Sequence, residues 1–213
     1  KPVLVLSSND GCVIARSNEV KNLGIEMSAP HFKIKHLIQA HNIHIFSSNF
    51  ALYSDMSRRI MALLKTMNPH MEVYSVDEAF LDFSGVENPY EVALHMRYKV
   101  SKGLGVPMSF GISKTKTLTK IANSEAKKVA SGIVELLEDD VIDDVLKRLT
   151  VDKIWGIGKQ SALKLRQWGF YTAYDLKIAD ARHIRQQFSV VTERTQRELN
   201  GIPCLSFEEV RDP

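Results

Sequence analysis

Hydrophobic and polar positions divide the chain into short elements of two kinds. Apolar residues on either side of a polar, glycine-containing turn predict a β-hairpin over residues 2–16. Between Leu52 and Met67, apolar residues recur at spacings of three and four, which predicts an amphipathic helix. Strand and helix patterns mix over residues 43–136, and every later pattern is helical. The chain is therefore predicted to be an α+β protein with a helical C-terminal part.

Capping residues set the ends of two predicted helices near the start of the chain. Ser17 is suited to cap a short helix that Gly24 closes in the left-handed conformation. Pro30 suits the first turn of a second helix that runs to about His41, with Phe32 among its core positions. The remaining patterns predict strands at 43–46, 107–113 and 132–136, and helices at 88–102, 115–128, 139–149, 159–168, 172–178, 181–188 and 190–200.

Two adjacent carboxylates interrupt the strand pattern between Met71 and Asp82. A half-buried pair of anions must be protonated, paired or metal-bound, because an isolated buried charge is costly. Neighbouring residues of a strand point to opposite faces, so Asp77 and Glu78 reach one ion only if the chain bends between Asp77 and Ala79. The stretch alone leaves two interpretations, an ordinary turn between two core strands or a metal site.

Composition is that of a globular protein: 213 residues, 44% hydrophobic and 25% charged. No apolar run approaches the roughly 20 residues of a membrane span, so no membrane association is expected. The two cysteines, Cys12 and Cys204, have no metal-binding spacing and fit a reducing, cytoplasmic protein better than a disulfide scaffold.

Lysines are concentrated in the segment that follows the strand pattern at residues 107–113. A strand, a turn and a lysine-bearing helix make a plausible phosphate site, because the helix N-terminus and the lysines both favour anions. A solvated surface helix is the alternative, and the spacing of a Walker loop is absent. The lysines of this segment are Lys114, Lys116, Lys120, Lys127 and Lys128.

The segment from Ile154 to Arg166 has the pattern of a helix-hairpin-helix module. Glycines let the backbone approach a phosphate, and the free N–H groups at a helix N-terminus point at the anion. Such contacts go to the DNA backbone and carry no sequence information. The residues predicted to bind DNA are Gly156, Ile157, Gly158 and Lys159. A tight helix–helix turn with a glycine cap is the alternative.

In this order the motifs resemble those of the Y family of translesion DNA polymerases, and within it the UmuC-like branch (the ImpB, MucB and SamB group). They are spread over nearly the whole chain in the family's order, which makes the resemblance specific. The segments that carry it are Ser7–Arg16, Phe46–Ser57, Tyr74–Phe80, Gly111–Leu118 and Trp155–Gly158.

The resemblance implies a right-hand polymerase core. Residues 1–47 would form small fingers, residues 48–136 a mixed-sheet palm, and residues 137–213 an all-helical thumb with the helix-hairpin-helix. The family's first palm strand carries a further Asp, closely followed by a ribose-excluding aromatic residue, and both would lie before Lys1. A little-finger domain would follow the thumb. The chain is therefore expected to be a polymerase truncated at both ends.

The resemblance also implies the chemistry. Asp77 and Glu78 match the carboxylates that hold two Mg²⁺ ions for nucleotidyl transfer from a dNTP to primer-template DNA. Lys21 and Lys127 match residues that bind the incoming triphosphate, whereas Asn18 replaces a Tyr found in many relatives. The function implied is error-prone, template-directed synthesis in an SOS-type response to DNA damage.

Two further expectations concern the whole protein and the chain as given. A UmuD-like subunit, a sliding clamp and a recombinase filament are the partners implied for the full-length protein. The chain by itself has an alternative interpretation, a non-catalytic DNA-binding or regulatory piece that lacks one catalytic Asp.

Overall fold

A computed structural model of the chain describes residues 1–207, and these fall into two compact units. One unit runs from Lys1 to Arg58, and the other begins at Arg59, within a long helix. The elements of the first part of the chain are β1 (Val3–Leu6), β2 (Val13–Arg16), α1 (Asn18–Asn22), α2 (His31–Ala40), β3 (His44–Ser47) and α3 (Phe50–Met67). Those that follow are β4 (Met71–Val73), β5 (Ala79–Leu81), α4 (Pro89–Leu104), β6 (Phe110–Ser113), α5 (Lys116–Ala126), β7 (Ile133–Leu136), α6 (Asp139–Arg148), α7 (Lys159–Gln167), α8 (Ala173–Ile178), α9 (Ala181–Gln187) and α10 (Val190–Leu199).

The N-terminal unit contains a three-stranded sheet in the order β2-β1-β3. β1 and β2 pair antiparallel, which confirms the predicted hairpin, and β1 pairs parallel with β3. Ser17 caps α1 by accepting a hydrogen bond from the backbone N–H of Val20, and Gly24 has φ +76°. Leu4 and Leu6 alternate into the core of this unit, where they pack with α1 and α2.

One expected core position in the first three helices is wrong. Phe32 is 70% exposed, and Ile34 is the buried residue of α2. The buried face of α2 is set by Ile34, Leu37 and Ile38, and Phe32 lies two residues, roughly 200° of helical rotation, from Ile34. The predicted helix over 52–67 is confirmed as α3, and its apolar stripe is buried near residue 64, whereas Leu52 is 51% exposed.

The second unit contains two two-stranded sheets within its described residues. β4 and β5 pair antiparallel, and β6 and β7 pair parallel. One apolar core lies between the end of α3, α4 and the β6–β7 sheet, and a second joins α5 and β7 to the helices from α6 to α10. β6 lies directly against α5, because a Cβ on Gly111 would be 2.1 Å from the backbone nitrogen of Asn123.

The helical C-terminal part begins and ends its helices close to the predicted positions. One difference is the segment before the glycine turn, where a single 3-10 turn at Val151–Lys153 replaces the first α-helix of the predicted hairpin. The alternation of strands and helices up to β7 and the helices beyond it confirm the α+β prediction.

The domain boundaries at 47 and 137 stay predictions, and the predicted thumb extends over residues 208–213, which lie outside the described residues. Within residues 1–207, no helix is long and apolar enough to cross a bilayer.

Candidate functional site

The two adjacent carboxylates lie on the bend that joins β4 to β5. β4 ends at Val73 and β5 begins at Ala79, so the chain does bend here, but over residues 74–78 and not only between Asp77 and Ala79. The backbone N–H groups of Tyr74 and Ser75 both donate to the carbonyl oxygen of Glu78, at 3.0 Å each. These two bonds close the bend and fix the backbone on either side of the carboxylates.

The expectation that this pair is buried is wrong for Asp77. Asp77 is exposed, and its Oδ1 accepts a hydrogen bond of 2.7 Å from the Ser75 hydroxyl. Glu78 is partly buried, with 29% of its side chain exposed, and its Oε2 lies 2.6 Å from the Nζ of Lys120. The reason is that the strand ends four residues before Asp77, so the bend extends beyond the sheet and water reaches it.

Around the bend, a cavity of about 590 Å³ opens in the second unit. Its wall combines the bend, β5, β6, the first two turns of α5 and the segment after α10. Lys114, Lys116 and Lys120 lie on this wall together with Asp77 and Glu78. Cations and carboxylates that share one cavity can bind a ligand that carries both a metal ion and phosphates.

Lys116 is the most enclosed of these lysines, with 12% of its side chain exposed. Its Nζ lies 2.5 Å from the Oε2 of Glu72 and 2.7 Å from the carbonyl oxygen of Ser206. The same ammonium lies 5.1 Å from the ring centroid of Phe80. The Lys116 ammonium is therefore held at the cavity wall by a carboxylate, a carbonyl oxygen and an aromatic ring.

An aromatic cluster supports the second cation, Lys120. Tyr74, Phe80 and Trp155 pack with ring centroids 5.5 to 5.9 Å apart. The Nζ of Lys120 lies 5.3 Å from the Tyr74 ring centroid and 5.9 Å from that of Trp155. The cluster holds Lys120 toward Glu78 and links the bend to the loop before α7.

Glu198, at the end of α10, holds the beginning of α5. It is 1% exposed, and its Oε2 accepts from the backbone N–H and the hydroxyl of Thr117 at 2.8 and 2.6 Å. Its Oε1 accepts from the backbone N–H groups of Cys204 and Leu205, at 3.1 Å each. An anion near a helix N-terminus is favourable, so this buried carboxylate fixes the helix that carries Lys116 and Lys120.

Burial raises the pKa of the Cys204 thiol, and the nearby negative charge of Glu198 is the next largest cause of the same shift.

The two lysines predicted to bind the triphosphate lie elsewhere. Lys127 is exposed at the C-terminal end of α5, about 10 Å along the helix from Lys120, and it is not part of the cavity wall. Lys21 lies on α1 of the N-terminal unit, where its Nζ donates to the Oδ1 of Asn18 at 3.1 Å. Both assignments stay predictions.

The predicted DNA-binding residues form the turn before α7. Gly156 has φ +83°, a conformation that favours glycine. Gly158 is the N-cap of α7 and supplies no side-chain cap, and Lys159 is exposed at the first position of the helix. Ile157 is different, because its side chain is buried in the helical core and only its backbone remains for a ligand.

The carboxylate pair fits a weakly held divalent cation. Mg²⁺ in proteins is usually bound through one or two carboxylates, with substrate phosphates and water completing its shell. Asp77 is open to water, and Lys120 is an exchangeable partner of Glu78. Within the described part of the chain, no group of three His, Cys, Asp or Glu side chains could hold a metal ion. Two carboxylates leave most of the shell of such an ion open to substrate phosphates, water or further protein groups.

Sequence reasoning placed Lys116 and Lys120 in a candidate phosphate site but did not connect them to the carboxylate bend, and it did not identify Glu198. A signal for the lysines was present, because residues 116 and 120 are four apart on one predicted helix and share a face. For Glu198 no local signal existed, since its partner Thr117 lies 81 residues away in the sequence.

The chain is similar to known proteins in both fold and sequence. A Y-family DNA polymerase chimera superposes over 99% of this chain and 63% of its own, with a TM-score of 0.80 and 23% identity. Protein UmuC of Salmonella typhimurium is 44% identical over 98% of this chain and 51% of its own length. DNA polymerase IV of Oceanobacillus iheyensis is 27% identical over 95% of this chain and 48% of its own.

The fold is therefore that of the Y-family DNA polymerases, which confirms the fold class expected from the sequence. Residues 1–124 match the model of the impB/mucB/samB family. The chain belongs to this family, and the resemblance stated from its motifs is confirmed. It spans about half the length of the curated relatives it matches.

Proposed function

We propose that the chain is part of an error-prone, template-directed DNA polymerase of the translesion class, acting in the response to DNA damage. The observation that carries this proposal is the wall of the 590 Å³ cavity, where Asp77 and Glu78 face the same space as Lys116 and Lys120. Similarity to UmuC and to DNA polymerase IV supports it.

Asp77 and Glu78 are the residues that would hold Mg²⁺. Such ions, when bound, supply a Lewis acid that activates the primer 3′-hydroxyl and neutralises the leaving pyrophosphate. The bend positions both carboxylates, because two backbone hydrogen bonds to the Glu78 carbonyl close it. Lys120 pairs with Glu78 in the absence of a ligand.

The lysines would bind the triphosphate. Lys116 and Lys120 lie on the cavity wall beside Glu72 and Glu78, and their ammonium groups would bind phosphate oxygens there. We assign Lys127 and Lys21 to the same ligand, following the family pattern, with residues 1–47 as fingers and 48–136 as palm. Positioning and charge neutralisation provide most of the catalysis in such a site.

Residues 137–207 would then belong to a thumb that binds the DNA backbone through its glycine turn. Gly156 and Gly158 leave space around the chain, since a Cβ at either position would meet nothing within 4 Å. The uncapped N-terminus of α7 and exposed Lys159 favour a phosphate at this turn. Ile157 supports the turn from the core.

Partners of the whole protein follow from the same proposal. Primer-template DNA and a dNTP are the substrates, and a UmuD-like subunit, a sliding clamp and a recombinase filament are proposed for the full-length protein. The second candidate is a non-catalytic DNA-binding or regulatory piece, which is favoured because no group of three His, Cys, Asp or Glu side chains among residues 1–207 could hold a metal ion.

Primer extension distinguishes these candidates. The protein expressed from its complete reading frame should extend a primer with Mg²⁺, and Asp77→Ala and Glu78→Ala should each abolish extension. A matched control is Glu87→Ala, an exposed carboxylate outside the cavity wall. Undiminished extension by either bend variant would remove the metal assignment, and DNA binding without extension by the parent would favour the regulatory piece.

A further inference from the structure

Trp155 lies between the two parts of the site that the proposed function assigns to DNA and to the metal. It directly precedes the glycine turn, and buried residues flank it at positions 154 and 157. Ile154 is 3% exposed and Ile157 is 7% exposed, and the backbone N–H of Ile157 donates to the carbonyl of Ile154 at 3.1 Å. The backbone of Trp155 therefore moves with the turn.

The side chain of Trp155 reaches the carboxylate bend. Its Nε1 donates to the hydroxyl of Tyr74 at 3.2 Å, and the two rings meet edge to face with centroids 5.5 Å apart. Tyr74 in turn donates its backbone N–H to the carbonyl of Glu78. This one contact joins elements that are 81 residues apart in the sequence.

A second set of contacts runs through Lys120. Its ammonium lies 5.9 Å from the Trp155 ring centroid and 2.6 Å from the Oε2 of Glu78. A displacement of the indole would therefore change both the backbone that closes the bend and the cation that pairs with its carboxylate. Tyr74 and Lys120 also contact one another, so the three side chains form a packed unit.

We propose that Trp155 is a positioning residue through which DNA bound at residues 156–159 fixes the conformation of the bend at residues 75–78. This inference rests on the proposed function, because it requires DNA at the glycine turn. The indole is rigid, its backbone is held by the core, and its polar edge is bonded to Tyr74. Coupling of this kind is reciprocal, so a fixed bend also favours DNA at the turn.

Residue-resolved amide exchange measured by NMR on the 213-residue chain tests the inference without any metal. A short primer-template duplex with a recessed 3′ end is added to saturation. Binding should slow exchange of the Trp155 indole N–H and of the Tyr74 and Ser75 amides by about 5-fold or more, the lower end of typical allosteric coupling. Amides in the first turn of α7 should slow as well.

Trp155→Ala should abolish the slowing at Tyr74 and Ser75 while DNA still protects α7. Trp155→Phe keeps a ring against Tyr74 but lacks the N–H, so it should restore part of the effect. Tyr74→Phe removes only the hydroxyl that accepts the hydrogen bond from the Trp155 indole. It is the second variant if Trp155→Ala fails to fold. The indole of Trp168, which packs on His183 and Phe188, is the internal control and should not change.

Each other outcome has a defined meaning. Slowing at Tyr74 and Ser75 that persists in Trp155→Ala overturns the inference. Slowing confined to α7 in the parent chain also overturns it and leaves the proposed DNA contact standing. No slowing anywhere, with no DNA bound, removes the DNA role of the turn and the inference with it.

Discussion

The carboxylate of Glu198 accepts two hydrogen bonds from Thr117, one from its backbone N–H at 2.8 Å and one from its hydroxyl at 2.6 Å. The pair joins the last residues of α10 to the second residue of α5. The opposite oxygen of the same carboxylate binds the backbone of Cys204 and Leu205. One buried anion thus organises the helix start from which the cavity lysines project.

Glu198→Ala should lower the free energy of unfolding by about 3 kcal/mol or more. Hydrogen bonds to charged groups contribute about 1.5–3 kcal/mol each, and the substitution leaves four donors without their acceptor. Urea unfolding followed by circular dichroism measures the loss. The exposed Glu87→Ala is the control and should change stability by less than about 0.5 kcal/mol. Equal stabilities of the two variants would show that the buried carboxylate has no such role.

Local signals predicted most of the elements, and long-range contacts explain what the sequence left out. Ser17 and Thr115 cap helices where the pattern placed helix starts, and Asn88 does the same for α4. Phe32 was misplaced because apolar character does not reveal which side of a short helix meets the sheet.

The sequence predicted only those parts of the site that lie within a few residues of one another along the chain. The bend at Asp77 and Glu78 follows from residues adjacent in sequence, whereas the partner of Glu78 comes from Lys120, 42 residues later. Nothing in either stretch specifies that pairing, since it depends on how β5 and α5 pack around one cavity.

Gly111→Ala and Gly103→Ala should shift stability in opposite directions. A Cβ on Gly111 would lie 2.1 Å from the Asn123 nitrogen and 2.4 Å from the Thr119 oxygen, so β6 and α5 would have to separate. Overpacking typically costs about 1–3 kcal/mol, and a clash with backbone atoms belongs at the upper end of that range. Gly103 lies within α4 with nothing within 4 Å of its added Cβ, so alanine there should stabilise by about 0.5–1 kcal/mol. Thermal unfolding of both variants checks the pair, and a neutral Gly111→Ala would contradict the close packing.

Lys159→Ala should weaken binding of primer-template DNA and reduce its salt dependence. Each neutralised phosphate contributes about 0.9 to the slope of log K against log salt, so the slope should fall by roughly one. Fluorescence anisotropy at several salt concentrations measures it. Lys99→Ala removes an exposed lysine from α4 and should leave the slope unchanged. An equal effect of both substitutions would mean that net charge, and not the turn, determines binding.

Lys120→Met should raise the affinity of the chain for Mn²⁺, used as a paramagnetic substitute for Mg²⁺. The ammonium and the metal compete for the Glu78 carboxylate, and a partly exposed ion pair contributes up to about 1 kcal/mol. We therefore expect about a 2- to 5-fold gain, measured by electron paramagnetic resonance of free Mn²⁺. The gain should vanish when Glu78→Gln is added, and a gain that survives this second substitution would place the ion elsewhere.

Asp82→Asn should reduce the acid sensitivity of the fold. The side chain of Ser84, then its backbone N–H, and more weakly His70, lower the pKa of Asp82 below its usual value of 3.8. A carboxyl group with a lowered pKa stabilises the fold above its unfolded-state pKa, and this contribution is lost as pH falls through the folded-state value. The parent should therefore have the larger free energy of unfolding at pH 6, and its advantage over Asp82→Asn should shrink below about pH 4. Urea unfolding at both pH values measures it. Glu87→Gln, an exposed carboxylate on the same connection to α4, should show no such change, and a difference for Asp82→Asn that grows toward low pH would contradict the assignment.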